Sequence, residues 1–315
     1  MKQIRLRLAG MLCLLSIFSV SCLSVQNPKT SVIVDTDMGL DDVRTILLLL
    51  NSPDVRIAGF VVTEGASDVD AGVANLRRLL AYFDASHIPV VRGVALGIPT
   101  PPWREHSNAM GWVDELIDLP PVQEPKSRPT NLNALINNLN RNTISPHPDE
   151  GDMFYLALGP LSTLADALDK DPELPRNFSH VYFSGTGPSL EPSWNRSCDP
   201  DAYEAATAAP WQFVAFGRPD AEEMTITPEF IDKLSRIETP AAALIAALHK
   251  SPHIDRLVRA GHLKLWDDPI ALFLNQPELA EISLESQEKQ IYQRTDLDTE
   301  LAEAIYLDLL SSADP

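Results

Sequence analysis

Near its start the chain has an acidic stretch between two apolar runs, and this arrangement limits the available folds more than any other feature. The stretch 35–42 holds four aspartates in eight residues, namely Asp35, Asp37, Asp41 and Asp42. The β-branched run 32–34 before it is typical of a short buried strand, and the apolar run 46–50 after it is typical of a buried helix. The aspartates are therefore predicted to lie in the turn between strand and helix, where open α/β sheets bind ligands.

Neighbouring carboxylates repel one another unless a cation neutralises them, and Ca²⁺ and Mg²⁺ prefer carboxylate oxygens. Helix capping is an alternative explanation for Asp41 and Asp42, because a helix amino terminus attracts acids. Capping alone would leave Asp35 and Asp37 without partners. An EF-hand loop also begins with alternate aspartates, but here Gly39 falls at loop position five instead of six, and an isoleucine, which cannot coordinate, falls at position twelve. We therefore expect a metal-binding turn.

Strand-like and helix-like segments alternate along the rest of the chain. The strand-like segments are 55–63, 88–93, 153–158, 181–184 and 213–216, with a terminal strand pair predicted within 282–291. In the segments between them apolar residues recur at helical spacing. The sequence shows no internal repeat and no linker. This alternation predicts one α/β domain over 30–315, built on a mostly parallel open sheet with helices on both faces.

One long segment interrupts the alternation. Residues 95–129 include seven prolines, which exclude long regular elements. Loops of this length inside a compact domain are usually functional or disordered. Trp103, His106 and Trp112 favour a lid over a ligand site, and a surface excursion with its own small cluster is the alternative.

The first 21 residues are set apart from this domain. Lys2, Arg5 and Arg7 precede the short apolar run 11–20, which is the pattern of a secretory signal peptide. The run is too short to span a membrane comfortably. Residues 19–22 also resemble a bacterial lipobox, and in that case Cys22 becomes the lipidated first residue of the mature chain. We expect an exported protein, either in the bacterial periplasm, anchored as a lipoprotein, or secreted.

The net charge limits the partners that such a chain can have. The formal net charge is −19, and removal of a signal peptide with three positive residues and no acidic ones would bring it to −22. A chain this acidic is not expected to bind nucleic acid or anionic membranes. A lipid anchor at Cys22 and a second copy of the chain remain open as partners.

Four motifs occur in the order of one known family. Residues 35–42 match D-x-D-x-G-x-D-D, which follows the first strand of the inosine–uridine-preferring nucleoside hydrolases. Residues 156–161 resemble the family's T-G-P-L-T-N, residues 194–200 are similar to its F-N-x-x-x-D-P, and residues 266–269 fall where it has H-D-P. From Ser31 to its end, the chain is identified as a divergent, exported member of this family.

The resemblance implies a nucleoside-hydrolase fold with a Rossmann-like core and a bound Ca²⁺ ion. The implied ligands are Asp37, Asp42, Asp268 and the backbone carbonyl of Leu158. Asp37 would also be the general base for a metal-bound water that attacks the anomeric carbon as the N-glycosidic bond breaks. Asp41 and Asn195 would hold ribose hydroxyls, and Asp35 would support the other aspartates from behind.

The departures from the family pattern concern the substrate. The asparagine expected after the second strand is replaced by Asp68 or Ser67. Ser193 stands where the family has a glutamate, for which Glu191 is a candidate substitute. The histidine implicated in leaving-group activation is replaced by Asp267, an aspartate that would be ionised beside Ca²⁺ and therefore a poor acid unless burial raises its pKa.

Other side chains are candidates for the missing functions. His106 and His262 could replace the histidine, although each is more readily explained as an ordinary packed or surface residue. Four tryptophans could stack on a base or fill the core: Trp103, Trp112, Trp194 and Trp266.

The sequence thus predicts a Ca²⁺-dependent glycosidase acting on N-glycosyl compounds, which cleaves ribonucleosides to ribose and base. One alternative is hydrolysis of another N- or O-glycoside on the same scaffold. Another is Ca²⁺-dependent binding of a ribosyl or sugar ligand without turnover. A haloacid-dehalogenase-like phosphatase also begins with D-x-D after a strand, but the downstream lysine and acidic pair that it requires are not evident in the sequence.

Overall fold

A computed structural model of the chain describes residues 30–109, 121, 129–142, 153–217 and 224–312. Within these residues the strands form one eight-stranded sheet. In chain order the strands are β1 (Thr30–Thr36), β2 (Val55–Val62), β3 (Val90–Arg92), β4 (Met153–Ala157), β5 (His180–Phe183), β6 (Gln212–Ala215), β7 (Ala280–Ser286) and β8 (Ile291–Leu297). The predicted signal peptide and Cys22 lie outside the described residues.

The strand order in the sheet is β3-β2-β1-β4-β5-β6-β8-β7. Neighbouring strands pair in parallel, apart from β7, which pairs with β8 in antiparallel orientation at one edge. The order reverses between β1 and β4, because the chain extends the sheet first to one side and then to the other. The predicted mostly parallel open sheet is therefore confirmed, and the reversal creates the crevice in which such sheets bind ligands.

Helices connect the strands. They are α1 (Leu40–Leu50), α2 (Val69–Tyr82), α3 (Arg104–Ala109), α4 (Leu132–Asn142), α5 (Ser162–Lys170), α6 (Trp194–Cys198), α7 (Pro200–Ala208), α8 (Pro228–Leu234), α9 (Pro240–Lys250), α10 (Pro252–Arg259), α11 (Asp268–Asn275) and α12 (Thr299–Ser311). Short 3₁₀ turns occupy Leu174–Asn177 and Pro277–Leu279. No helix in the described part of the chain is long and apolar enough to cross a bilayer.

Side chains along β1 alternate between two cores. Val32 and Val34 pack with residues of α1, α2, α9, α11 and α12, whereas Ile33 packs on the opposite face with residues of α4, α5 and α7. Both faces are covered by helices, as a parallel sheet requires. The same alternation places Asp35 on the face of Ile33 and Thr36 on the face of α1.

The turn after β1 is shorter than the sequence indicated. β1 continues through Asp35, and α1 begins at Leu40, so Asp41 and Asp42 lie in the first helical turn. The prediction that all four aspartates occupy the turn is therefore wrong. Met38 has φ 59°, a left-handed conformation that lets the short connection reverse direction and that costs a non-glycine residue about 1–2 kcal/mol.

Other differences follow from element length. Helices α3, α6, α8 and α10 were not predicted, since five to eight residues are too few to show a hydrophobic period. The terminal strand pair is present but extends beyond the predicted range, to Leu297. Of the predicted lid, α3 is described, whereas 110–120 and 122–128, with Trp112, lie outside the described residues.

Candidate functional site

Most of the predicted site residues gather at the carboxyl ends of β1 and β4, where the strand order reverses. Asp37 follows β1 and Leu158 follows β4. The backbone N–H of Leu158 donates to the Asp35 carbonyl at 2.8 Å, which joins the two strand ends. The segment 63–68 after β2 and Asp267 before α11 form the neighbouring walls.

Asp35 is fully buried beneath this crevice. The Thr63 hydroxyl donates to its Oδ1 and the Tyr155 hydroxyl to its Oδ2, each at 2.6 Å. Burial raises the pKa of Asp35 to about 7, although both hydrogen bonds act to lower it. Both carboxylate oxygens are thus engaged in hydrogen bonds that tie the ends of β1, β2 and β4 together.

Asp42 fixes the start of α1. Its Oδ1 accepts from the Thr36 hydroxyl at 2.5 Å and from the Asp37 N–H at 3.1 Å, and its Oδ2 accepts from the Gly39 N–H at 2.9 Å. Capping therefore does describe Asp42, whose carboxylate closes the amino terminus of the helix. It does not exclude a metal, because Asp42 Oδ2 accepts only one of these hydrogen bonds and keeps a second lone pair.

Asp37 occupies a space that two glycines leave open. A Cβ added to Gly65 would lie 2.1 Å from Asp37 Oδ2, and one added to Gly159 would lie 2.9 Å from Asp37 Cβ. Ser67 holds the backbone, since its N–H and hydroxyl donate to the Asp37 carbonyl at 2.9 and 2.8 Å. Burial, followed by the charge of Asp42, raises the pKa of Asp37 well above its ordinary range.

Asp41, Asp42 and Asp267 each bring one carboxylate oxygen within 4.8 Å of the other two. Asp267 is 2% exposed, and its Oδ1 accepts a hydrogen bond from the Ser184 hydroxyl. Its Oδ2 is buried and has no hydrogen-bond partner among the described residues. Burial, followed by the charges of Asp41 and Asp42, raises the pKa of Asp267 well above its ordinary range. Carboxylates this close require protons or a cation.

A hard divalent cation fits this set of donors. Together with Asp37 the set offers four aspartates, and no ion pair within the described ranges gives any of them a cationic partner. The Oδ2 of Asp267 is buried without a hydrogen-bond partner, so it is free to coordinate a cation. Negatively charged oxygen donors are what Ca²⁺ and Mg²⁺ prefer.

Asp268 has a different partner. Arg44 donates to it through Nε to Oδ1 at 2.9 Å and through Nη2 to Oδ2 at 2.8 Å, and both side chains are fully buried. Burial lowers the pKa of Arg44, but the charge of Asp268 outweighs it and raises the pKa above its ordinary value, so the guanidinium stays charged. The carboxylate that joins Asp41 and Asp42 is therefore Asp267, whereas Asp268 is engaged in a buried ion pair.

Asn195 connects the ends of β4 and β5. Its Nδ2 donates to the Leu158 carbonyl at 2.6 Å and to the Ser184 carbonyl at 2.8 Å. The Leu158 carbonyl thus already accepts one hydrogen bond and retains a second lone pair. Because both amide hydrogens are used, Oδ1 is the atom through which the Asn195 side chain could contact a ligand.

The structure does not bring Asp68 and Glu191 into the carboxylate group. Asp68 is ion-paired with Arg104 and accepts a hydrogen bond from Asn108 Nδ2 at 2.6 Å. The side chain of Glu191 is exposed, and its carbonyl accepts from the Thr186 hydroxyl at 2.7 Å. Neither side chain shares a hydrogen bond or an ion pair with the buried aspartates in the part of the chain that the structure describes.

Two of the candidate tryptophans, Trp194 and Trp266, are adjacent in sequence to the site residues Asn195 and Asp267, and Trp103 contacts Trp194. Trp103 and Trp194 make an edge-to-face contact with ring centroids 5.6 Å apart. Trp266 directly precedes Asp267 and is 44% exposed, and the other two are exposed as well. Burial in the core therefore does not explain these three side chains.

The two candidate histidines lie in different surroundings. The ring of His106 in α3 is 5.7 Å from the ring of His253 in α10. His262 is exposed in the turn after α10. No hydrogen bond or ion pair within the described ranges joins His262 to the aspartates.

A family model for the inosine-uridine preferring nucleoside hydrolases matches residues 32–305, which include the whole carboxylate group and the sheet that carries it. The chain belongs to this family. Membership confirms the family predicted from the acidic signature and, at the level of the family, the predicted class of N-glycosyl hydrolase.

Relatives of the chain are recognisable at low identity. The chain is 25% identical over 215 residues to a probable uridine nucleosidase 2 from Arabidopsis thaliana, across 66% of this chain and 65% of that protein. It is 26% identical over 225 residues to a pyrimidine-specific ribonucleoside hydrolase, RihA, from Salmonella arizonae, across 69% of each. The chain thus spans about two thirds of the length of these curated relatives.

A solved structure supports the same fold. The chain superposes on a plant nucleoside hydrolase, the PpNRh1 enzyme, with a TM-score of 0.74 at 18% identity, covering 90% of this chain and 99% of the other. The nucleoside hydrolase fold predicted from the sequence is therefore confirmed.

Two arginines of this site were missed from the sequence alone. Arg44 directly precedes Thr45 and the apolar run of α1, and a lone arginine on a buried helix is the signal that could have found it, because such a charge needs a buried partner. Arg104 binds Glu64 at 3.1 Å and the Gly65 carbonyl at 2.8 Å, which holds α3 against the end of β2. No local pattern indicated a contact across that distance in the sequence.

Proposed function

We propose that this chain is a Ca²⁺-dependent ribonucleoside hydrolase that converts a nucleoside and water into ribose and free base. The observation that carries the proposal is the group formed by Asp37, Asp41, Asp42 and Asp267 at the reversal of strand order. Its oxygen donors suit a hard cation, and the family to which the chain belongs is one of nucleoside hydrolases.

The cation would be held by carboxylates that the backbone already fixes. Asp42 is anchored through both oxygens to the start of α1, and Asp37 is placed by Ser67 and Gly65. The Leu158 carbonyl at the end of β4 is a further oxygen donor for the cation. A divalent cation in such a site lowers the pKa of a bound water and orients it.

Asp37 would act as the proton acceptor. As the water oxygen forms its bond to the anomeric carbon, one water proton passes to the Asp37 carboxylate, and the N-glycosidic bond breaks with its electron pair leaving on the base. The negative charge of the aspartate group stabilises the positive charge that develops on the sugar ring. The leaving base takes up a proton before release.

The sugar and base would contact the walls of the crevice. Asp41 and the Asn195 Oδ1 are acceptors for ribose hydroxyls, since Asn195 Nδ2 is already committed to two carbonyls. The exposed rings of Trp103, Trp194 and Trp266 supply aromatic surface for a nucleobase. Asp68 and Glu191 stay predicted substrate contacts outside the carboxylate group, where Asp68 is paired with Arg104 and the side chain of Glu191 is exposed.

The test is release of free ribose from a panel of purine and pyrimidine ribonucleosides by the purified chain, with and without a Ca²⁺ chelator. We expect release that the chelator abolishes and added Ca²⁺ restores. Asp37→Asn should lower kcat by at least about 1,000-fold, because it removes the proton acceptor. Asp70→Asn is the matched control, since Asp70 is on the surface with its side chain 82% exposed.

Two outcomes would contradict the proposal. Ribose release that is insensitive to chelation would exclude the cation from the reaction. Tight Ca²⁺ and ribose binding without any release, in both the parent chain and the Asp37→Asn variant, would favour a sugar-binding protein without turnover.

We also propose that the protein is exported and that Cys22 becomes its first residue. The charged start, the short apolar run and the lipobox-like residues 19–22 support this proposal. Expression of the full chain in a bacterium, followed by mass measurement, tests it. A mature product that begins at Cys22 and carries a lipid mass is expected, and a product that retains residues 1–21 would contradict export.

A further inference from the structure

The adjacent residues Asp267 and Asp268 at the start of α11 have opposite surroundings. Asp268 is fully buried and both of its oxygens accept hydrogen bonds from Arg44. Asp267 is almost as deeply buried, but only its Oδ1 is hydrogen-bonded, to the neutral Ser184 hydroxyl. One of the two carboxylates is therefore neutralised by a fixed cation, and the other is not.

Arg44 is held in place by more than Asp268. Its Nη2 also donates to the Lys264 carbonyl at 3.0 Å, and its Nη1 lies 3.4 Å from His249 Nε2. His249 Nδ1 lies 2.7 Å from the Ile245 carbonyl, which assigns the ring hydrogen to Nδ1 and leaves Nε2 as an acceptor for Arg44. The guanidinium is thus enclosed by acceptors, and a metal ion bound to Asp268 would lie beside this permanent positive charge.

Asp267, by contrast, has the properties of a ligand. Its unpartnered Oδ2 is buried, which is costly for a carboxylate oxygen unless something binds it. One of its oxygens lies within 4.8 Å of an oxygen of both Asp41 and Asp42, and Asp42 is among the residues proposed to hold Ca²⁺. Ligand oxygens of a single Ca²⁺, each about 2.4 Å from the ion, can be separated by such distances.

We propose that Asp267, and not Asp268, is the carboxylate that α11 contributes to the cation site, and that Arg44 is the reason for the exchange. This inference rests on the proposed function, because it assigns a ligand of the same Ca²⁺ site. Asp268 then serves as the counter-ion of Arg44, and the pair fixes the first turn of α11 behind the ligand.

The assignment changes the role expected of Asp267 from the sequence. A carboxylate that binds Ca²⁺ is ionised and cannot donate a proton to a leaving base. Asp267 is then a ligand instead of the leaving-group acid, and the proton that the base takes up comes from another donor or from solvent.

Calorimetric titration of Ca²⁺ into the metal-free full chain tests the assignment independently of activity, with Tb³⁺ luminescence as a second readout. Asp267→Asn should weaken Ca²⁺ binding by about 100-fold or more while the fold is retained. The double variant Arg44→Met with Asp268→Leu replaces the buried ion pair by apolar side chains and should keep the affinity within about fivefold. Asp268→Asn, which retains one acceptor for Arg44, is a second variant in case the double variant does not fold.

The results separate this inference from the proposed function. If the parent chain binds Ca²⁺ and the Asp268 variants lose binding while Asp267→Asn retains it, the ligand assignment is overturned and Ca²⁺ dependence stands. Equal losses in both sets, or no loss in either, would also overturn it. If the parent chain binds neither Ca²⁺ nor Tb³⁺, the Ca²⁺ dependence in the proposed function is contradicted, and the ligand assignment is contradicted with it.

Discussion

Arg44 and Asp268, 224 positions apart in the sequence, form a two-pronged ion pair in which the guanidinium donates to both carboxylate oxygens at 2.9 and 2.8 Å. Both side chains are fully buried, and they link the second turn of α1 to the first residue of α11. The pair joins the helix that carries Asp41 and Asp42 to the helix that Asp267 precedes, so it connects the two halves of the carboxylate group.

Removal of one partner should be far more damaging than removal of both. Arg44→Met leaves the Asp268 charge buried without a partner, and we expect the free energy of unfolding to fall by about 3–5 kcal/mol. The double variant Arg44→Met with Asp268→Leu should recover most of that loss, since it buries apolar groups in place of two charges. Urea unfolding followed by circular dichroism measures both.

A surface ion pair provides the matched comparison. Lys170 and Asp166 are four residues apart in α5 and both are exposed. Lys170→Met should change the free energy of unfolding by less than about 0.5 kcal/mol, because solvent screens such pairs. An equally small effect of Arg44→Met would mean that the buried pair does not hold the two helices together.

The stability of the metal-free protein should depend on the protonation of Asp35. Its pKa is raised from 3.8 to about 7 in the folded state, chiefly by burial, so the folded state binds this proton more tightly than the unfolded state. The contribution of Asp35 to stability is therefore fully present below about pH 4 and is lost as the pH rises to about 7. The total loss is on the order of 4 kcal/mol, at about 1.4 kcal/mol for each unit of pKa shift.

Asp35→Asn isolates this contribution, because asparagine has nearly the same shape and does not titrate. Relative to the parent chain, the variant should gain stability between pH 4 and pH 7 and show no further gain above that range. His249, whose pKa is lowered to about 3 by burial and then by Arg44, acts in the opposite direction over part of the same range. Both proteins contain His249, so its effect cancels in the comparison. A difference in unfolding free energy that is independent of pH would contradict the assignment.

The part of the site that the sequence predicted is local. Residues 32–42 combine a β-branched run, a turn and four acids within one short stretch, and their spacing alone placed Asp35, Asp37, Asp41 and Asp42 beside a sheet crevice. The alternation of strands and helices predicted the sheet for the same reason, since each element has its own hydrophobic period.

The part that could not be predicted depends on contacts between distant positions. Arg44 and Asp268, or Arg104 and Glu64, are paired only because the folded sheet brings their elements together. The adjacent Asp267 and Asp268 are identical in type, and no local pattern says which of them meets Arg44. The identity of the aspartate that pairs with Arg44 therefore had to come from the structure.

Gly65→Ala should displace Asp37. The new Cβ would lie 2.1 Å from Asp37 Oδ2 and 2.5 Å from its Cβ, so the carboxylate has to move away together with the backbone to which that Cβ is bonded. We expect Ca²⁺ affinity and kcat each to fall by at least about 10-fold, since displacement of about 1 Å at a reacting group costs up to about 100-fold in rate. Calorimetry and ribose release measure the two effects.

Gly59→Ala is the matched control for this change. The atoms nearest to a Cβ at Gly59 belong to the side chain of Leu135, the first at 2.8 Å, and Leu135 lies in the core on one face of the sheet. This variant should lose some stability and keep its Ca²⁺ affinity. If Gly65→Ala likewise lost only stability and kept its Ca²⁺ affinity and kcat, the space beside Asp37 would have no bearing on the site.

Asn195→Ala should affect substrate binding more than stability. The change removes the two hydrogen bonds from Nδ2 to the Leu158 and Ser184 carbonyls, and with them the Oδ1 proposed to accept from ribose. We expect kcat/KM to fall by about 10- to 100-fold and the free energy of unfolding by about 1–2 kcal/mol, as for other partly buried hydrogen bonds. Asn133→Ala is the control, because Asn133 Nδ2 likewise donates to a backbone carbonyl, that of Ala167 at 3.1 Å, but in a pair of helices away from the carboxylate group. Asn133→Ala should show a comparable loss of stability with kcat/KM unchanged, and equal kcat/KM values for the two variants would mean that Asn195 only joins β4 to β5.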